Sequence, residues 1–360
     1  MKRILTLDGG GIRGVFSLQI LGRIEAMFRQ EHNDPKLVLA DVFDLIAGTS
    51  TGAIIASFLS WGLPVCDIER EYVTRGAAMF VREPWYCRWR AKYRADAIAG
   101  FFRTRFAEQD GAPALFSSRR LRTLLLIILR NASTGSPWPL LNNPDAIYND
   151  RSLPDCNLDI PLWQILRAST AAPSFFPPQE ITVGSRTDLF VDGGLTPYNN
   201  PSLIAVLMAT LPGYKLSWPA SRTALHVVSV GTGLARARLP QKLAARINIL
   251  DQIKHLAPAL IGSVSLEQDM LCRVLGHCLH GPPLDSEIGG LHSPTLFQPG
   301  EQKFSYVRYD RALDASTSRL LRDSKVRTEM DNMELIPLLQ EEGRNYAIEN
   351  VRFDHLRPGA

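Results

Sequence analysis

Gly48-Thr49-Ser50-Thr51-Gly52 sets a serine between two glycines in the G-x-S-x-G pattern. In that pattern the serine stands on a sharp strand-to-helix turn. Its hydroxyl faces a substrate, and the helix N-terminus favours the alkoxide as it forms. Gly48 and Gly52 permit the strained backbone and leave room for the substrate. The chemistry this offers is nucleophilic attack on an acyl ester. The plainer use of the same serine is a helix cap.

A second stretch, Asp8-Gly9-Gly10-Gly11-Ile12-Arg13-Gly14, follows an apolar run and opens a helical pattern. Gly9, Gly11 and Gly14 satisfy G-x-G-x-x-G, which would make the chain a catalytically silent, nucleotide-binding signalling module. The acid that should hold a ribose hydroxyl about twenty residues on is missing. That region is the polar loop Glu31-His32-Asn33-Asp34-Pro35, and no Lys-Ser/Thr pair follows the glycines. The other use of the loop is an oxyanion hole, in which the amides of Gly9, Gly10 and Gly11 converge on one spot and Arg13 adds positive charge. A serine nucleophile needs such a hole, which favours this second use.

The serine also needs a base. None of the seven histidines (His32, His226, His255, His277, His280, His292, His355) lies in a glycine-rich strand-end turn, and His226 opens a strand as a structural residue would. Asp192 does lie in such a turn, before Gly193 and Gly194. The economical reading is a Ser50–Asp192 dyad, with Asp192 taking the serine proton and returning it to the leaving alcohol. The alternative is a turn aspartate bonded to its own loop.

The elements that must position these residues alternate between short β-like runs and helical patterns, which predicts an α/β fold with a mainly parallel central sheet. Ile4-Leu5-Thr6-Leu7 reads as the first strand and residues 15–28 as the first helix. Residues 42–47 read as the strand before the serine and 53–59 as the helix after it. Leu189-Phe190-Val191 and residues 226–230 read as later strands. Beyond about residue 235 the composition turns helical and arginine-rich. Residues 1–235 are therefore expected to form the catalytic domain, and 236–360 a mostly helical C-terminal region that packs on or caps it.

Taken together, residues 8–14, 48–52 and 192–194 resemble the three signature blocks of the patatin-like phospholipase family, in that family's order. Arg167-Ala168-Ser169-Thr170-Ala171-Ala172-Pro173-Ser174-Phe175-Phe176-Pro177-Pro178 is similar to the family's segment ahead of the aspartate. Asn199-Asn200-Pro201 and Ser229-Val230-Gly231-Thr232-Gly233 are similar to its later blocks. The resemblance implies a three-layer α/β/α sandwich, a Ser50–Asp192 dyad without histidine, and an oxyanion hole from the Gly9, Gly10 and Gly11 amides with Arg13 close by. It further implies cofactor-free hydrolysis of phospholipid or other lipid acyl esters. Residues 284–289 (Leu-Asp-Ser-Glu-Ile-Gly) are similar to bacterial patatin effectors activated by cyclic oligonucleotides in anti-phage defence, so such a nucleotide is an expected activator.

The bulk composition sets the setting. With 45% hydrophobic and 21% charged residues, the 360-residue chain is globular rather than disordered. A net charge of +4 suits contact with anionic headgroups or nucleotides and is too small for a DNA or RNA binder. Five scattered cysteines suggest no disulfide framework, and the Cys272, His277, Cys278, His280 spacing matches no compact zinc finger. No secretory signal is visible, because charge and glycine interrupt the first apolar stretch. The expected location is the cytoplasm, peripheral to the inner membrane when active, with homo-oligomers open. Two segments read as membrane contacts: the aromatic and cationic 84–93, and 121–129 as a lid or docking helix.

Overall fold

The computed structural model describes residues 1–79, 81–84, 91–233, 249–285, 291–313 and 331–357. Five strands form the body of the sheet: β1 (Lys2–Leu7), β2 (Leu45–Thr49), β3 (Leu124–Asn131), β7 (Leu225–Val230) and β9 (Ser305–Tyr309). Four others extend it: β4 (Pro137–Leu141), β5 (Gln179–Val183), β6 (Arg186–Asp192) and β8 (His277–His280). The strand order is β5-β6-β3-β2-β1-β7-β9-β8, with β4 paired to β3. From β3 to β8 the neighbours run parallel, while β6, β5 and β4 run antiparallel to their partners.

Side-chain alternation assigns the two faces. Leu5, Leu7, Ile46, Leu125, Ile127, Leu129, Val307 and Tyr309 enter one apolar core. Ile4, Leu45, Ala47, Leu126, Ile128, Val227 and Tyr306 enter the other. Strands buried on both faces read as unbroken apolar runs, as residues 124–129 of β3 do here, while β1 and β7 bury the polar Thr6, His226 and Ser229 among their apolar residues. Helices α1 (Gly14–His32), α2 (Thr51–Ser60), α3 (Val65–Met79), α4 (Ala95–Arg105), α5 (Leu162–Ser169) and α8 (Ile336–Asn350) cover the first face. Helices α6 (Ser202–Thr210) and α7 (Ile249–Leu275) cover the second. The result is a three-layer α/β/α sandwich with a mainly parallel sheet.

Two sequence expectations change. Residues 121–129 form no helix: Leu124 onward is β3, with Leu125, Leu126, Ile127, Ile128 and Leu129 wholly buried in the middle of the sheet. A short apolar run bracketed by arginines fits a strand covered on both faces as well as a docking helix, and burial decides for the strand. The mostly helical reading of 236–360 omits β8 and β9, which add two parallel strands to the sheet that β1 and β7 begin. The region therefore completes the sheet as well as packing against it through α7 and α8.

Of the 84–93 segment, residues 85–90 lie outside the described residues, as do 286–289 of the 284–289 stretch. The Lys92 and Tyr93 amides bond to the Ser174 and Phe175 carbonyls. The Lys92 ammonium and Tyr93 hydroxyl both bond to the Asp331 carboxylate. Cys272 is buried in α7, and His277, Cys278 and His280 lie in β8. Among the described residues no helix is long and apolar enough to cross a membrane.

Candidate active site

Parallel pairing puts the carboxyl ends of β1, β2, β3, β7 and β9 on one side of the molecule, where polar loops can meet. Ser50 sits between β2 and α2 with φ 54 and ψ −120, a conformation that a non-glycine residue holds only under external constraint. The constraint is steric. A Cβ at Gly48 would come within 2.2 Å of the Gly52 carbonyl oxygen, and one at Gly52 within 2.2 Å of the Leu7 carbonyl oxygen. Only glycines allow the turn to close this tightly against β1. Ser169, at the end of α5, accepts from the Ser50 amide at 3.0 Å and donates to the Ile128 carbonyl at 2.7 Å, which ties the turn to β3.

Asp192 ends β6, whose antiparallel register with β3 sets it beside Leu129. Its two oxygens have separate tasks. Oδ1 accepts from the Gly194 amide at 2.7 Å, and Oδ2 accepts from the Ser50 hydroxyl at 2.7 Å. The turn-aspartate alternative is thus true of one oxygen only. A Cβ at Gly193 would come within 2.3 Å of the Ile128 carbonyl, so glycine there lets the turn lie flat on β3. Asp192 is 6% exposed, and burial pushes its carboxyl up to about 6, against the two hydrogen bonds that favour the anion. A carboxylate with that affinity is a better proton acceptor than an ordinary aspartate, and it already touches the hydroxyl.

The glycine loop leaves β1 alongside the serine. The Gly9 amide donates to the Asn199 carbonyl at 3.2 Å, and its carbonyl accepts from the Thr232 hydroxyl at 3.1 Å. Gly9 is thereby corrected as an oxyanion donor: its N–H is engaged, and it anchors the loop. Gly10 and Gly11 form the crest. The Gly10 carbonyl accepts from the Arg13 amide and Nε, and Gly11 has φ 62. Arg13 is half-buried, and burial lowers its affinity for the proton while Asp310 and Asp8 oppose that. Gly14 opens α1 against the Thr51 side chain at the start of α2.

β2, the parallel neighbour of β1, ends at Thr49 and is followed by Ser50, so the acid expected of a dinucleotide fold is absent from its end. His226 pairs with Arg3 and Ser305, at the far end of β7 from Ser50, and burial drives its imidazole down to about 3. A surface pocket of about 440 Å³ in the 144–158 segment shares no lining residue with the serine site.

Sequence reasoning missed the groups that hold the loop from behind. The Arg308 guanidinium on β9 makes a paired bond to both Asp8 oxygens, at 2.9 and 2.5 Å. It also bonds Asp310 at 2.7 Å and the Ser229 hydroxyl at 2.7 Å. Asp310 in turn accepts from the Gly233 amide at 3.0 Å. From α7, Ser265 accepts from the Asn199 side chain at 3.1 Å. A single arginine in a strand carries no local motif, so nothing near position 308 pointed to position 8.

The model of the patatin-like phospholipases matches residues 5–206. A cGAMP-activated phospholipase of Escherichia coli (strain TW11681) is 29% identical over 238 residues, covering 64% of this chain and 62% of its own length. A cGAMP-activated phospholipase of Vibrio cholerae is 28% identical over 260 residues, covering 69% of each chain. Patatin group M-3 of Solanum tuberosum is 26% identical over 251 residues, 65% of this chain and 61% of its own. The chain thus spans about three fifths to two thirds of these relatives' lengths. With its matched region holding more than half of the 360 residues, the chain belongs to the patatin-like phospholipase family.

Proposed function

We propose that the chain hydrolyses acyl esters of membrane phospholipids through Ser50 and Asp192, and that a cyclic nucleotide of the cGAMP kind switches it on. The observation that carries the hydrolytic reading is the 2.7 Å bond from the Ser50 hydroxyl to a buried Asp192, at a backbone turn that holds the serine under strain. Asp192 Oδ2 takes the hydroxyl proton as Oγ attacks the ester carbonyl carbon. The carbonyl oxygen becomes an oxyanion held by the Gly10 and Gly11 amides, with Arg13 supporting the loop. The tetrahedral species collapses, the C–O bond to the lysolipid breaks, and Asp192 returns its proton to the departing oxygen. Asp192 then takes a proton from water, whose oxygen attacks the acyl-serine. Fatty acid leaves, and Ser50 is reprotonated.

The nucleotide part rests on the two relatives named for cGAMP activation and on the stretch 284–289. Phospholipid vesicles and p-nitrophenyl butyrate, with and without cGAMP and other cyclic di- and trinucleotides, test both parts in wild type and Ser50→Ala. Fatty-acid release that depends on Ser50 is expected, rising when one nucleotide is added. Release that survives Ser50→Ala overturns the dyad, and equal release with and without every nucleotide overturns the switch. Saturable nucleotide binding with no release in any arm would favour the signalling module.

A further inference from the structure

The loop proposed to hold the oxyanion is rooted in a buried charge cluster that its own segment cannot supply. Asp8, the last residue before Gly9, has 4% of its side chain exposed, and Arg308 and Asp310 have 2% and 3%. The paired geometry of guanidinium on carboxylate fixes the direction of the Asp8 side chain as well as its distance. β7 lies between β1 and β9, so Arg308 reaches across a whole strand and bonds the Ser229 hydroxyl on the way. Asp310 accepts from the Gly233 amide, just after Thr232, whose hydroxyl binds the Gly9 carbonyl. A Cβ at Gly231 would meet Asp310 at 2.1 Å, so that backbone and the carboxylate are in direct contact. Two lines of contact therefore run from β9 to Gly9, one through Asp8 and one through Gly233 and Thr232.

We propose that Arg308 is a positioning residue for ester hydrolysis: from β9 it sets where the Gly10 and Gly11 amides point, and so places control of the oxyanion step in the chain beyond residue 235. The cluster touches neither Ser50 nor Asp192 and sits behind the loop. Its loss should spare substrate binding and proton transfer and weaken the hold on the developing charge. An oxyanion donor is worth roughly 10²–10³ in rate, which is the ceiling for the effect.

This rests on the hydrolase reading above. The test compares Arg308→Lys, Arg308→Gln and Asp310→Asn with wild type and Ser50→Ala, all with cGAMP present. The readouts are kcat and KM on p-nitrophenyl butyrate, and the rate ratio of that ester to its thiono analogue, whose sulfur is a poor partner for amide donors. Folding is checked by circular dichroism and thermal melting. In the folded variants kcat should fall about ten- to a hundredfold with KM within about threefold of wild type. The oxygen-to-sulfur ratio should drop about tenfold, and Arg308→Lys should retain more than Arg308→Gln. A folded Arg308→Gln with wild-type kcat, or with lost kcat and an unchanged ratio, overturns the proposal. So does failure of all three variants to fold, since Arg308 then serves the fold alone. Activity in Ser50→Ala would instead sink the hydrolase reading, whatever the Arg308 variants do.

Discussion

At the scale of the residue, the proposed hydrolysis depends on the two oxygens of Asp192 being used differently. The Gly194 amide fixes the carboxylate plane through Oδ1, which leaves Oδ2 aimed at Ser50. Burial raises the carboxyl to about 6. The base must be ionised to accept the serine proton, so kcat/KM should be low below pH 6, rise through an acid limb near pH 6 and level off above it. A pH profile between 4.5 and 8.5 on a neutral ester checks this, with Asp192→Asn as control. That variant keeps the shape of the side chain and loses the base, so its rate should fall about 10²–10⁴-fold and its acid limb should vanish. An acid limb that persists in Asp192→Asn would assign the titration to another group.

Elements decide whether those residues meet. The glycine loop is closed from above by Thr232, whose hydroxyl oxygen would lie 2.1 Å from a Cβ on Gly10. Gly10→Ala must therefore push the crest away from Thr232 and out of its present alignment, and kcat should fall about 10²–10³-fold with little change in melting temperature. Pairing it with Thr232→Gly removes the clashing atoms and should recover part of that loss, measured as kcat in the double variant. No recovery would mean that the Thr232 bond to Gly9 matters more than the space it fills.

Elements also explain what was legible beforehand. Ser50, Asp192 and the loop could each be read because a strand, a glycine turn and a reactive residue occur within a few positions of one another. Ser169 lies in a stretch whose family likeness was visible, but its bond to the Ser50 amide appears only when the end of α5 is laid over β3 against the turn between β2 and α2. Arg308 and Asp310 were illegible for a related reason: their partners are about three hundred and about eighty positions away, and sheet order alone unites them. Residues 121–129 misled because a short apolar run has the same composition in a buried strand as in a lipid-facing helix.

For the whole molecule, the question is what the chain beyond residue 235 is for. A cap would leave residues 1–235 a complete sheet domain, active and freed from control once the cap was removed. The sheet argues otherwise. β7 is wholly buried along its length and pairs with β9 on the side away from β1. Ending the chain at 235 would bare that edge of β7, with its apolar side chains and unpaired backbone, an arrangement that recruits other strands. It would also strip Asp8 of Arg308 and leave a buried carboxylate without its counter-charge, a loss of roughly 3–5 kcal/mol where such pairs have been broken. Against a total stability of about 5–15 kcal/mol, the two effects together leave little margin. The 1–235 fragment is therefore expected to be aggregated or molten, with no Ser50-dependent hydrolysis at any nucleotide concentration. Size-exclusion chromatography, near-ultraviolet circular dichroism and ester hydrolysis on the purified fragment check this. A monomeric, cooperatively melting and constitutively active fragment would restore the cap, and would place control of Ser50 in the removal of a lid rather than in the strand that holds the loop.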